Sequence, residues 1–417
     1  MSAEPCPREP DGDTIRREVA TRLERLVLEN FRGFSHLDLE LPPGPFALFV
    51  GRNGSGKSTL VDALSWLLGS PRHGRREADV RHGATALSLR AVFDSGERRV
   101  TWAPPARPEE VATGTMGFVR VLDTIRPTQV DVLRSVEEDT ARGWEEPTED
   151  PWDPRHWALP NASYTFGFVL PWFRREENRE NEVRLRRDPT HRSPRLELVR
   201  GCLQRFLVGL GWTSLSSPRI SRVLPDGRPR SPATDGELVF DKDGMEIGFG
   251  ELSDGERVVI LTVLDLAIRA AHDDRDPATA SGVVVIDEVD QHLHPAWQVQ
   301  ILPALHAAFP EIQFIGTTHA PLVVASVPTG SVMLLEQFAV VQARPSYGRD
   351  ANSLLRLVFG VGPRPPALDA LVHEVEQSID RDDLQGARHQ LDDLAARITD
   401  EDPEVVRLRS LVEFLAT

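Results

Sequence analysis

FVGRNGSGKSTLVDAL, residues 49–64, matches the phosphate-loop pattern G-x-x-x-x-G-K-[ST] across Gly51–Ser58. Ahead of it, PFALFV (45–50) reads as a short buried strand. Behind it, Leu60, Val61, Leu64, Leu67 and Leu68 recur at helical spacing. Gly51, Gly54 and Gly56 let the backbone curl so that its N–H groups point at phosphate oxygens, and the helix start adds its positive end. Lys57 is placed to reach the β- and γ-phosphates, and Ser58 to hold Mg²⁺. The stretch predicts a nucleoside-triphosphate site in an α/β fold.

Three further stretches extend that reading. SGVVVIDEVDQHLHPAWQ (281–298) opens with an apolar run, Val283–Ile286, expected of a parallel strand buried on both faces. It ends in Asp287 and Glu288: the first can hold Mg²⁺ through water, the second can polarise a water that attacks the γ-phosphate. In GFGELSDGERVVILTVLDLA (248–267), Leu252-Ser253-Asp254-Gly255-Glu256 precedes an apolar helical stripe, and a Ser hydroxyl with Gly amides at a helix start makes an anion site. Alone, Ser-Asp-Gly is ordinary turn chemistry. IQFIGTTHAPLV (312–323) reads as a strand ending in Thr317-Thr318-His319. A lone histidine there is usually structural.

Together and in this order, the four elements resemble the ABC-type ATPases, over about residues 24–70 and 245–335. The resemblance implies ATP and Mg²⁺ as ligands and a head-to-tail homodimer, or a higher oligomer, with ATP sandwiched between subunits. Asn53, Gly54, Ser55, Gly56, Lys57, Ser58 and Thr59 would contact the nucleotide, and Ser58 and Asp287 the metal. Leu252, Ser253, Asp254, Gly255 and Glu256 would form the signature acting on the other subunit's nucleotide. Glu288 would be the catalytic base and His319 the γ-phosphate sensor. The resemblance does not place the family's glutamine-loop residue, for which Gln129 is a candidate.

RLERLVLENFRGFSHLDLELPPGPFALFVGRNGSGKSTL (22–60) resembles the RecF, SMC and OLD-like branch rather than transporter subunits. In that branch Arg32 contacts the nucleotide or stands as a solvated surface arginine. SMC-type proteins place long heptad arms between phosphate loop and signature; here residues 123–157 are rich in Pro, Trp and acid, with no sustained heptads. OLD-type proteins add a nuclease domain with an acidic metal cluster. One D-x-D after His319, Asp380-Arg381-Asp382, lies in an acidic helical stretch and reads as a solvated helix terminus, and no intrinsic nuclease is expected.

The 417 residues carry a formal net charge of -16, which argues against a general nucleic-acid coat. Cys6 and Cys202 are too few for a disulfide framework or a cysteine zinc site. No apolar run approaches the roughly 20 residues that span a bilayer, and the polar start is unlike a secretory signal, so a cytoplasmic protein without membrane contact is expected. Of 48 basic residues, only Lys57 and Lys242 are lysines, a bias towards arginine across the whole chain.

The expected organisation is a flexible N-terminus (1–20), an ATPase head in two parts (21–160 and 236–345), a helical insert lobe (161–235) and a C-terminal helical extension (346–417), with parallel and mixed sheets in the head. In the insert, Phe168, Trp172 and Phe173 precede a mixed-charge helix. Arg174, Arg175, Arg179, Arg184, Arg186, Arg187, Arg192 and Arg195 make it locally basic. It reads as a salt-bridged solvated face, a nucleic-acid surface over 174–195, or a partner contact. The acidic tail carries helical stripes, with Asp402 capping a helix that starts at Pro403. It either covers the ATPase core or docks another protein. Insert, signature helix and tail resemble the ATPase subunits of Septu-type and retron-associated anti-phage systems, which implies a separate HNH-type nuclease partner. A RecF-like repair ATPase acting directly on DNA, and a binding module whose ATP is structural, are the alternative readings.

Overall fold

The computed structural model describes residues 21–68, 76–114, 118–122, 169–216, 218–224, 226–229, 236–271, 276–342, 346–362 and 364–416. The N-terminal stretch 1–20 with Cys6, the candidate Gln129, the segment 123–157 and Phe168 lie outside the described residues.

A six-stranded sheet carries the site. Its strands are β3 (Phe46–Val50), β7 (Phe118–Leu122), β11 (Gly282–Ile286), β12 (Ile312–Thr317), β13 (Val332–Glu336) and β14 (Ala339–Gln342), in the spatial order β14-β13-β3-β12-β11-β7. All neighbours run parallel except β13 and β14, which form an antiparallel hairpin. The unbroken apolar runs of β3 and β11 follow from covering both faces. Phe46, Leu48 and Val50 enter one core, while Ala47 and Phe49 enter the other. Each such fully buried side chain contributes about 1.5–3 kcal/mol.

One face is covered by helix α1 (Lys57–Leu67) and an antiparallel sheet of β1 (Leu23–Phe31), β2 (Phe34–Glu40), β4 (Leu87–Phe93), β5 (Gly96–Trp102) and β6 (Glu109–Gly114), ordered β2-β1-β4-β5-β6. Alternation sets its inner face: Leu87, Leu89, Ala91 and Phe93 are buried and the residues between them are half-buried. The other face holds α2 (Val169–Arg186), α3 (Pro194–Gly209), the signature helix α4 (Asp254–Ala270), short α5 (Pro295–Gln298), α6 (Ile301–Ala308) and α7 (Pro321–Ser326). A small sheet, β10-β9-β8, joins β8 (Arg219–Ser221), β9 (Glu237–Lys242) and β10 (Met245–Gly248) just ahead of the signature.

The helices of the insert join the main core. Leu203, Phe206 and Leu207 of α3 are fully buried in the same core as α4, because α3 packs on both α4 and α6. Its arginines are largely neutralised at helical spacing. Arg184 pairs with Glu180 at 2.6 Å and Arg186 with Glu182 at 3.0 Å. Arg174 is buried and donates to the Gly236 carbonyl at 2.7 Å. Cys202 also sits in this core, and burial pushes its thiol up to about 12.

Beyond α8 (Ala351–Leu357), the tail forms three helices, α9 (Pro366–Asp380), α10 (Leu384–Arg397) and α11 (Pro403–Leu415). They pack around their own core of Val372, Val375, Leu391, Leu394, Val405 and Leu408. Asp402 caps α11 through the Glu404 N–H and is held by Arg364 at 2.7 Å, which lowers its carboxyl below the usual range. No helix among the described residues is long and apolar enough to cross a membrane.

Candidate functional site

The site lies where β3, β11 and β12 end, all pointing the same way. After β3 the chain turns through Gly51–Gly56 into α1, whose N-cap is Gly56 in the left-handed region (φ 110°) with no side-chain cap. The first N–H groups of α1 are thus not capped by a side chain and face the loop. Arg52, Asn53, Gly54 and Ser58 are exposed and Thr59 is half-buried. Ser55 Oγ is buried with no hydrogen-bond partner among the described residues. Lys57 folds back over the loop, donating to the carbonyls of Gly51 (2.9 Å) and Arg52 (3.1 Å). Burial pushes its ammonium below its ordinary value, against the pull of Asp287, Glu288 and Asp290.

The ends of β11 and β12 are laced together. Thr317 Oγ1 donates to Asp287 Oδ1 at 2.5 Å and accepts from the Glu288 N–H at 2.8 Å. Asp290 Oδ1 accepts from Thr318 Oγ1 (2.6 Å) and from the His319 N–H (3.2 Å). Glu288 sits at φ 53°, a left-handed conformation that costs a non-glycine residue on the order of 1 kcal/mol or more. Such strain, held by the threonine on one side and the sheet on the other, fixes where the carboxylate begins. His319 is half-buried, and its imidazole lies below its ordinary value, first through burial and then through the Lys57 cation. It is therefore neutral at neutral pH.

The structure thus gathers Lys57, Asp287, Glu288 and His319 at one end of the sheet. The signature stands at the start of α4. Ser253 caps α4 in a reciprocal box with Glu256, and Gly255 lies against the turn after Glu288. A Cβ on Gly255 would stand 2.6 Å from the His292 carbonyl oxygen and 3.2 Å from the Trp297 ring. Leu252 is buried, whereas Ser253 and Asp254 face solvent. Glu256 is raised by burial, but hydrogen bonds from Lys242 and Ser253 outweigh this and hold it below the usual carboxylate range. Arg32 is engaged elsewhere: its guanidinium bridges Asp79, at 2.7 Å, and Asp62 of α1. Burial opposes its charge, and the two carboxylates more than restore it.

Sequence reading missed four supports. Asp290, Thr317 and Thr318 carry the lacing, and only Asp290 lies near the acidic pair in sequence. Phe338, at the tip of the β13–β14 hairpin, had no local signal. Its N–H donates to the Ser55 carbonyl at 3.0 Å, and its ring lies against Gly56 and Gly33, where a Cβ on either would come within 2.7 Å. The hairpin clamps the phosphate loop from the side away from the helix: the Leu335 carbonyl oxygen lies 2.3 Å from where a Gly51 Cβ would stand. Phe338→Ala is expected to weaken ATP binding about tenfold, roughly 1.4 kcal/mol, while the protein stays folded. Titration with a fluorescent ATP analogue, alongside thermal melting, checks this; unchanged affinity would show that the loop holds itself.

Two family models match the chain: "AAA domain" over residues 25–100, and "AAA domain, putative AbiEii toxin, Type IV TA system" over 137–325. The Septu protein PtuA of Bacillus mycoides (strain KBAB4) is 38% identical over 375 residues, covering 84% of this chain and 46% of that protein. The "Retron Ec83 probable ATPase" of Escherichia coli is 36% identical over 135 residues, 31% of this chain and 25% of that protein. The DNA replication and repair protein RecF of Clavibacter sepedonicus is 41% identical over 80 residues, 19% of each chain. The chain spans half or less of the length of each of these relatives. With the four motifs in order on this sheet, the chain carries the AAA ATPase domain and is similar to the Septu protein PtuA, the retron ATPases and RecF.

Proposed function

We propose that the chain binds and hydrolyses ATP, closes head to tail with a second copy around two nucleotides, and through that closure controls a separate HNH-type nuclease in anti-phage defence. The observation that carries the ATPase reading is the convergence of Lys57, Asp287, Glu288 and His319 at one sheet end. The phosphate loop fits a triphosphate: the α1 start is uncapped by any side chain, and the Ser55 hydroxyl is buried with no hydrogen-bond partner among the described residues. Ser58 and Asp287 offer hard oxygen donors that suit Mg²⁺, which when bound neutralises charge on the β- and γ-phosphates.

Each residue then has a task. Lys57 exchanges its two loop carbonyls for phosphate oxygens, and Asn53–Thr59 wrap the phosphates. Glu288 takes the proton of the attacking water, from a backbone position that Thr317 holds. Neutral His319 donates a hydrogen bond to the γ-phosphate, and Asp290 sets its position through its N–H. Arg32 reaches the nucleotide only by giving up Asp62 or Asp79, so it acts as a support for α1 unless ATP draws it over. Leu252–Glu256 of the second copy close the site, which accounts for a signature exposed at Ser253 and Asp254. Likeness to PtuA and the retron ATPase supports the defence role.

The test is purification of the tagged full chain from its native cells in ATP-containing buffer, followed by mass spectrometry. A small HNH-type nuclease at near-equal abundance supports the reading. The RecF match to 80 residues favours one alternative, an ATPase acting on DNA itself. Recombination proteins in the eluate, with ATP turnover stimulated by DNA, would move the conclusion there. The paired arginines of α2 weigh against it.

A further inference from the structure

The signature is crowded with carboxylates, which is a poor surface to bring up to a triphosphate. Glu251, Asp254 and Glu256 stand within six residues. Two are held locally: Glu251 accepts the Gly248 N–H at 2.6 Å, and Asp254 pairs with Arg257. Glu256 is the one tied to the signature serine, since its Oε2 accepts both the Ser253 N–H (2.8 Å) and the Ser253 hydroxyl (2.9 Å). Its other oxygen, Oε1, accepts from Lys242 Nζ at 2.8 Å. Lys242 ends β9 of the small sheet that leads into the signature, so an element outside the motif supplies its counter-charge.

We propose that Lys242 is a positioning residue for the signature: by pairing with Glu256 it cancels that charge and fixes the Ser253 hydroxyl, so that the signature can meet the phosphates held by another copy. This rests on the head-to-tail dimer proposed above. The Lys242 side chain is 40% exposed, and an ion pair of that exposure adds little to folding stability. Its effect falls instead on what approaches. A bare carboxylate at the start of α4 opposes the positive helix end and repels an incoming γ-phosphate, whereas a paired one leaves the N–H groups of Gly255 and its neighbours to act.

The experiment uses the full chain carrying Glu288→Gln, so that hydrolysis does not intervene, with ATP-Mg as the probe. Dimer formation is followed by sedimentation against ATP concentration, and nucleotide binding by a fluorescent ATP analogue. Lys242→Met is expected to raise the ATP needed for half-maximal dimerisation about tenfold, the order of one uncompensated like charge, with monomer binding unchanged. Lys242→Arg should restore dimerisation. So should Lys242→Met combined with Glu256→Gln, because glutamine keeps the capping box and removes the charge. If the double variant stays as impaired as Lys242→Met, or if Lys242→Met dimerises like its parent, the proposal fails while the dimer stands. If the parent stays monomeric in ATP, the dimer reading fails and takes this proposal with it.

Discussion

Glu288→Gln is expected to lower the ATPase rate by about 10²–10⁴-fold, the range a positioned general base contributes. ATP affinity should stay within a few-fold of the parent, because Lys57 and the phosphate loop are untouched. The substitution is nearly isosteric, and what holds the residue is its backbone, through the Thr317 Oγ1 contact and the β11 register. Thermal melting should therefore barely move. Steady-state phosphate release and equilibrium nucleotide binding check the two halves separately. A variant that hydrolyses ATP at the parental rate would remove Glu288 from the chemistry. A variant that loses ATP binding as well would make Glu288 part of the pocket rather than the base.

What could be read from residues alone tracks what is local. The phosphate loop was legible because glycine spacing, a five-residue apolar strand and a helical stripe adjoin in sequence. The run Val283–Ile286 predicted a strand covered on both faces, and β11 is one, flanked by β12 and β7. The salt-bridged reading of the insert rested on its mixed charge, and the structure pairs Glu180 with Arg184 and Glu182 with Arg186. The antiparallel sheet beside α1 went unread: β5 alternates only at its end, and β6 is exposed throughout. What the insert packs against went unread, because helical stripes tell that a face is buried but not against what. The supports of the site were hidden for the same reason. Asp290 meets His319 across 29 positions, and Phe338 reaches Gly56 only because β13 lies beside β3. Long-range contacts of this kind leave no period in a sequence.

The arrangement of the signature makes one prediction that a single mutant cannot test. Gly255→Val would drive a branched side chain into the His292 carbonyl, and a backbone oxygen cannot swing away as a flexible side chain can. The start of α4 must shift, so ATP turnover should fall to the floor seen with Glu288→Gln, while ATP still binds the phosphate loop of the isolated chain. If each site borrows its signature from the other copy, mixing the two dead proteins should bring activity back. In the mixed dimer, one site combines both lesions. The other pairs an intact Glu288 with an intact Gly255. With random pairing in a two-fold dimer, half of the dimers are mixed and half of their sites work, so about a quarter of parental activity should return. Recovery should rise with protein concentration and need ATP, since assembly depends on both. Phosphate release from the mixture, compared with each protein alone, reads this directly. A mixture no better than its parts would mean that Glu288 and Gly255 act within one chain, or that the copies do not meet through these faces.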